Sequence, residues 1–94
     1  MIIIAGTLHV QPSDRDRYLA AVVDVTRQAR LAPGCLDFAQ TPDPLDASRI
    51  NVYERWETDA HLHRFRTAGG PDVGLPPLQS ADVRKYRIAG VEDP

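Results

Sequence analysis

Ile50-Asn51-Val52-Tyr53-Glu54-Arg55-Trp56-Glu57 decides how the rest of the chain is read. Side chains alternate along a strand, so Ile50, Val52, Glu54 and Trp56 share one face. Asn51, Tyr53, Arg55 and Glu57 share the other. The first set is apolar apart from one carboxylate, which marks a core-facing side. Thr58 then offers a capping hydroxyl and Asp59 an acidic first turn, so a helix should start at once. Leu62 and Phe65 give that helix an inward stripe, and Gly69-Gly70-Pro71 ends it.

Working backwards, Thr41-Pro42-Asp43-Pro44-Leu45-Asp46 is turn chemistry. It joins the decisive strand to an earlier one, Cys35 to Gln40, with Leu36 and Phe38 on one face. Before that, Tyr18, Val22, Val25 and Ala29 repeat at i, i+4, i+7 and i+11, with Leu19, Val23 and Thr26 alongside. That spacing predicts an amphipathic helix of roughly four to five turns. Ser13 or Asp14 would cap it, and Pro33-Gly34 would stop it. The chain opens on Ile2 to Val10, a β-rich run ended by Pro12. One face carries Ile2, Ile4, Gly6, Leu8 and Val10; the other carries Ile3, Ala5, Thr7 and His9. A strand apolar on both faces is covered on both sides. Its own helices supply one cover, and a second copy of the chain would supply the other.

Beyond the second helix, residues 67–79 hold three glycines and three prolines and read as a long loop. Val83 to Val91 reads as the last strand. The order β, α, β, β, α, loop, β is an α+β arrangement, the ferredoxin-like βαββαβ pattern with an antiparallel sheet. Residues 1–94 make a single domain, because 94 residues leave no room for a second core.

Composition sets outer bounds on function. Hydrophobic residues form 43% of the chain and charged ones 26%, which is ordinary globular usage. A chain this short buries only about 60–65% of its unfolded surface, a thin margin that pairing into a homodimer would widen. The net charge of -2 argues against nucleic acid or an anionic membrane as a partner. Cys35 is the lone cysteine, so neither an internal disulfide nor a cysteine zinc site is expected, which fits a cytoplasmic setting. The opening apolar run has no basic lead-in, and no later run approaches membrane-spanning length.

Three landmarks in order resemble the antibiotic biosynthesis monooxygenase family of the dimeric α+β barrel group. They are Ile3-Ile4-Ala5-Gly6-Thr7, Pro33-Gly34-Cys35, and Glu54-Arg55-Trp56-Glu57-Thr58. The resemblance runs from about residue 2 to 66. It implies a subunit that dimerises through its sheet, with a pocket between sheet and helices. It also implies oxygenation of small aromatic or polyketide-like phenols without flavin, haem or metal. Two departures stand out. Relatives often carry a histidine where this chain has Phe65, and the region after the second helix is here rich in glycine and proline. The haem-degrading branch of the group matches less well, since it has an asparagine where this chain has Thr7.

No nucleotide or flavin fingerprint is present, so no cofactor is expected, and a substrate would supply the electrons itself. Such chemistry needs an apolar pocket, a base, and a donor to hold the substrate anion. Trp56 is the candidate flat wall; its alternative is a plain core tryptophan. Glu54, on the same face, is a candidate base, or else a structural partner for Arg84 or Arg87. His61, one turn before Phe65, is the second candidate base, or else a helix-terminus histidine. Thr7 and His9 would offer polar contacts, while Tyr18, Phe38 and Phe65 would line the pocket or simply fill the core. His61 and His63 diverge on a helix, so no metal site is expected. Two other functions stay open: a non-enzymatic domain binding a quinone-like ligand, and a proton-transfer isomerase on the same scaffold.

Overall fold

A computed structural model describes residues 1–69 and 74–94. The elements are β1 (Ile2–His9), a 3-10 turn (Pro12–Asp14), α1 (Arg15–Leu31), β2 (Cys35–Pro42), β3 (Arg49–Trp56), α2 (Asp59–Thr67) and β4 (Ser80–Arg87). The strands form one antiparallel sheet in the order β2-β3-β1-β4. Each helix therefore carries the chain across a strand that belongs to the other half, which is the ferredoxin-like topology. The central pair sets the register of everything else: Ile2 lies opposite Trp56, Ile4 opposite Glu54 and Leu8 opposite Ile50.

The alternation in β3 appears as burial. Ile50, Val52, Glu54 and Trp56 are buried, while Asn51, Tyr53 and Arg55 are half-buried. Ile2, Ile4, Leu8 and Val10 join them beneath the helices. This core has two parts. One gathers Ile2, Ile4, Ala29, Phe38, Trp56 and Leu62; the other gathers Leu8, Val10, Tyr18, Val22, Ile50 and Val52. The opposite sheet face carries Ile3, Ala5, Thr7, His9, Asn51, Tyr53 and Arg55, all half-buried. None of the described helices lies on it.

Several local expectations shift. Ser13 and Asp14 fall in the 3-10 turn that Pro12 opens, and Asp14 makes no side-chain cap; its carboxylate takes Arg17 at 2.9 Å instead. Leu36 and Phe38 do not share surroundings, because a bulge between Cys35 and Asp37 resets the alternation. Leu36 is exposed and Phe38 is buried. Strand β2 continues to Pro42, which an edge strand tolerates because its missing N–H faces away from the ladder. The last strand runs Ser80–Arg87 rather than Val83 to Val91. Pairing along the full length of β1, closed by Gln79 N–H to the His9 carbonyl at 2.8 Å, outweighs the weak β preference of Ser80-Ala81-Asp82. Of the expected stop at Gly69-Gly70-Pro71, Gly69 takes a left-handed φ of 72°. Gly70 and Pro71, with residues 72 and 73 of the loop expected over 67–79, lie outside the described residues.

Candidate functional site

Strand geometry brings the first two candidates together. Glu54 and Trp56 stand two residues apart on one face of β3, and the Trp56 indole N–H donates to Glu54 Oε1 at 3.0 Å. Trp56 is 0% exposed and Glu54 8%. The carboxylate thus sits where charge is costly, and burial pushes its pKa up. The Trp56 bond and the nearby Arg66 guanidinium pull the other way without cancelling that rise. The expected partnership with Arg84 or Arg87 does not form. Arg87 reaches Asp59 and Arg84 reaches Asp82. The reason is positional: β4 flanks β1 on the side away from β3, and both arginines find a nearer carboxylate.

Aromatic rings close over the pair. Phe65 of α2 lies 5.3 Å from the Trp56 ring, tilted by 33°, and meets Phe38 edge-on at 6.3 Å. Phe65 is half-buried, so it forms the outer wall of this cluster. Tyr18 is elsewhere, in the core part built on Val10 and Ile50, where burial raises its phenol pKa.

His61 is placed by the helix start. Thr58 caps α2, accepting the His61 backbone N–H at 3.2 Å, and its hydroxyl lies 2.7 Å from His61 Nδ1. A hydroxyl that donates there requires the tautomer with its proton on Nε2. The imidazole also lies against Gly34, where an added Cβ would come within 2.2 Å of His61 Cγ. His61 therefore fastens α2 to the Pro33-Gly34 turn. His63 is exposed. Thr7 and His9 belong to the other sheet face, and His9 Nε2 approaches Asp46 at 3.6 Å. Among the described residues, no group of three or more His, Cys, Asp or Glu side chains is arranged to hold a metal. No described helix is long and apolar enough to cross a membrane.

Hollows open on the surface of the described residues. One, of about 480 Å³, runs between α1 and the edge strand β2. Another, of about 530 Å³, lies over β1 and β4 and is lined by Thr7, Arg84 and Tyr86. Glu54, Trp56 and His61 line neither. Sequence reasoning missed the first hollow, because it depends on how α1 rests against β2. It also missed Arg66, which no spacing tied to Glu54.

Comparison with known proteins sets this geometry in context. The sequence model of the antibiotic biosynthesis monooxygenases matches residues 1–70. The chain belongs to the antibiotic biosynthesis monooxygenase family. Solved structures share its fold. A provisionally named family member from Deinococcus radiodurans superposes with a TM-score of 0.84 at 18% identity, covering 99% of this chain and 97% of its own. One from Nitrosomonas europaea gives 0.84 at 15% identity, covering 96% and 100%. One from Chloroflexus aurantiacus gives 0.77 at 21% identity, covering 98% and 96%. A curated relative, the uncharacterized protein sll1783 of Synechocystis, is 25% identical across 94% of this chain. The chain spans 63% of that protein's length. Within the family fold, the Glu54–Trp56 pair is the described place where a shielded carboxylate and flat aromatic rings meet.

Proposed function

We propose that this family member is a cofactor-independent monooxygenase that uses dioxygen to oxidise a small aromatic or polyketide-like phenol. The observation that carries the reading is the buried Glu54 carboxylate, raised in pKa and bonded to Trp56 beneath Phe65. A base is most useful when its pKa approaches the working pH, and burial moves Glu54 in that direction. A flat phenol would enter by displacing the half-buried Phe65 ring and stack on Trp56. Glu54 would take the phenolic proton, leaving an electron-rich anion that reacts with dioxygen. One oxygen atom enters the ring and the other leaves as water, so the substrate supplies all the electrons. Of the two candidate bases, geometry supports Glu54, since the His61 ring is committed to Thr58 and Gly34.

The same reading includes a homodimer formed through the open sheet face. Its half-buried Ile3, Ala5 and Tyr53 support this, as does Arg55 Nε, a buried atom with no hydrogen-bond partner among the described residues. Thr7 and His9 lie on that face, so their contribution to a substrate site would come through the dimer. The experiment is incubation of the purified protein with an anthrone while quinone absorbance is followed. Glu54→Gln should lower the rate by about 10² to 10⁴, the range a placed base contributes. An unchanged rate in that variant rules out Glu54 as the base.

Complete burial of Trp56 favours a second reading, a non-enzymatic domain that binds a quinone-like ligand. Saturable quinone binding without oxygen uptake would select it.

A further inference from the structure

We propose that the trough between α1 and β2 is a second binding site, for a medium-chain fatty carboxylate. Its helical wall is apolar at Leu19, Val22 and Val23 and carries one hydroxyl at Thr26, and its floor is the edge of β2 at Ala39, Gln40 and Thr41. Charge is confined to one end, where Arg27 and Arg30 stand, and no acidic side chain lines the hollow. The two arginines differ. Arg27 is paired with Asp24. Arg30 donates its Nε to the Phe38 carbonyl at 2.9 Å, and its two terminal nitrogens take no partner among the described residues. That bond orients the guanidinium and leaves its fork free, the arrangement that holds a carboxylate with both oxygens.

Shape points the same way. From Leu19 to Arg30 the helix rises about 16 Å, so the trough suits a linear chain lying along α1 with its head at Arg30. A volume of about 480 Å³ falls within the range of small-molecule sites. Val23 is 49% exposed and Leu31 82%, apolar surface that an acyl chain would cover. Trp56 and Glu54 do not touch this trough, so the site stands or fails apart from the oxidation chemistry.

The test is a calorimetric titration with decanoate and with decanol, paired with amide chemical-shift mapping. The expected result is saturable decanoate binding that shifts the amides of Leu19, Val23 and Gln40 and leaves the Trp56 indole signal in place. Decanol, with no charge to meet Arg30, should bind at least about tenfold more weakly, and so should decanoate to Arg30→Gln. Val23→Asp, at an exposed position that folding tolerates, should abolish binding. Decanol binding as tightly as decanoate would overturn the proposal, as would full affinity in a folded Arg30→Gln variant. So would a wild-type protein that binds neither compound and becomes a monomer on Val23→Asp, because a second copy then occupies the trough.

Discussion

Exchanging Glu54 for glutamine separates its charge from its hydrogen bond. The amide oxygen still accepts from the Trp56 indole, while the ionisable group is gone. In the native chain burial holds the Glu54 pKa above the usual carboxylate value. Between that usual value and the raised native one, the folded protein keeps a proton that the unfolded chain releases. Stability from this group is therefore complete below the usual value and is lost as pH rises through the native value. Each unit of elevation contributes about 1.4 kcal/mol. In a domain of this size, about 1 kcal/mol moves the melting temperature by about 4–8 °C. Glu54→Gln should flatten the decline that begins above the usual carboxylate value, and should melt higher than the native chain once pH exceeds the raised native value. Glu54→Leu removes the acceptor as well, leaving a buried N–H unpaired at a cost of about 1–3 kcal/mol. Trp56 is the chain's one tryptophan, so its emission reports unfolding in urea directly. Protein concentration must be fixed, since any dimer makes stability depend on it. A decline of equal slope in the native chain and Glu54→Gln would refute the argument.

Four further perturbations address other joints. Gly34→Ala meets the His61 ring and forces a side chain onto a φ of 79°, so it should destabilise by at least about 1 kcal/mol in thermal melts. His61→Ala in that background should return the part due to the clash and not the part due to the backbone. Asp59 holds Lys85 and Arg87, which keep its carboxyl well below the usual range. Its stabilisation is present above the usual carboxylate value and lost as pH falls through the depressed one. Asp59→Asn should thus melt lower at pH 7, with the gap closing in acid and in high salt. Asp43, held at about 2 by Asn51 and the backbone N–H groups of Leu45 and Asp46, follows the same sign. Asp43→Ala should loosen the β2–β3 turn, which faster amide exchange at Asn51 would report. Tyr53→Asp on the open sheet face should leave a monomer in sedimentation at micromolar concentration; an undiminished dimer would place the interface elsewhere.

What the sequence made legible follows the reach of each signal. Alternation in Ile50 to Trp56 and the 3.6-residue rhythm of Tyr18 to Ala29 are local, and both came through as a half-buried strand and a packed helix. The Thr58 cap is local too, and it formed as read. Features that depend on distant partners did not come through. Strand β4 has little apolar patterning of its own, and its limits are set by the length of β1 beside it. The bulge after Cys35 breaks the alternation that would have paired Leu36 with Phe38. At the site, the common face of Glu54 and Trp56 was readable from their i, i+2 spacing. What Glu54 would bond was not. The choice between Trp56 and an arginine turned on which edge of the sheet β4 occupies.

The proposed role of the Glu54–Trp56 pair is to direct dioxygen onto an aromatic substrate. It is tested most directly by supplying an anthrone with isotopically heavy dioxygen and weighing the quinone by mass spectrometry. The native protein should place one heavy oxygen atom in each quinone well above the spontaneous rate, and Glu54→Gln should fall to that background. Quinone formed at the background rate by the native protein, or equally fast by Glu54→Gln, would contradict it.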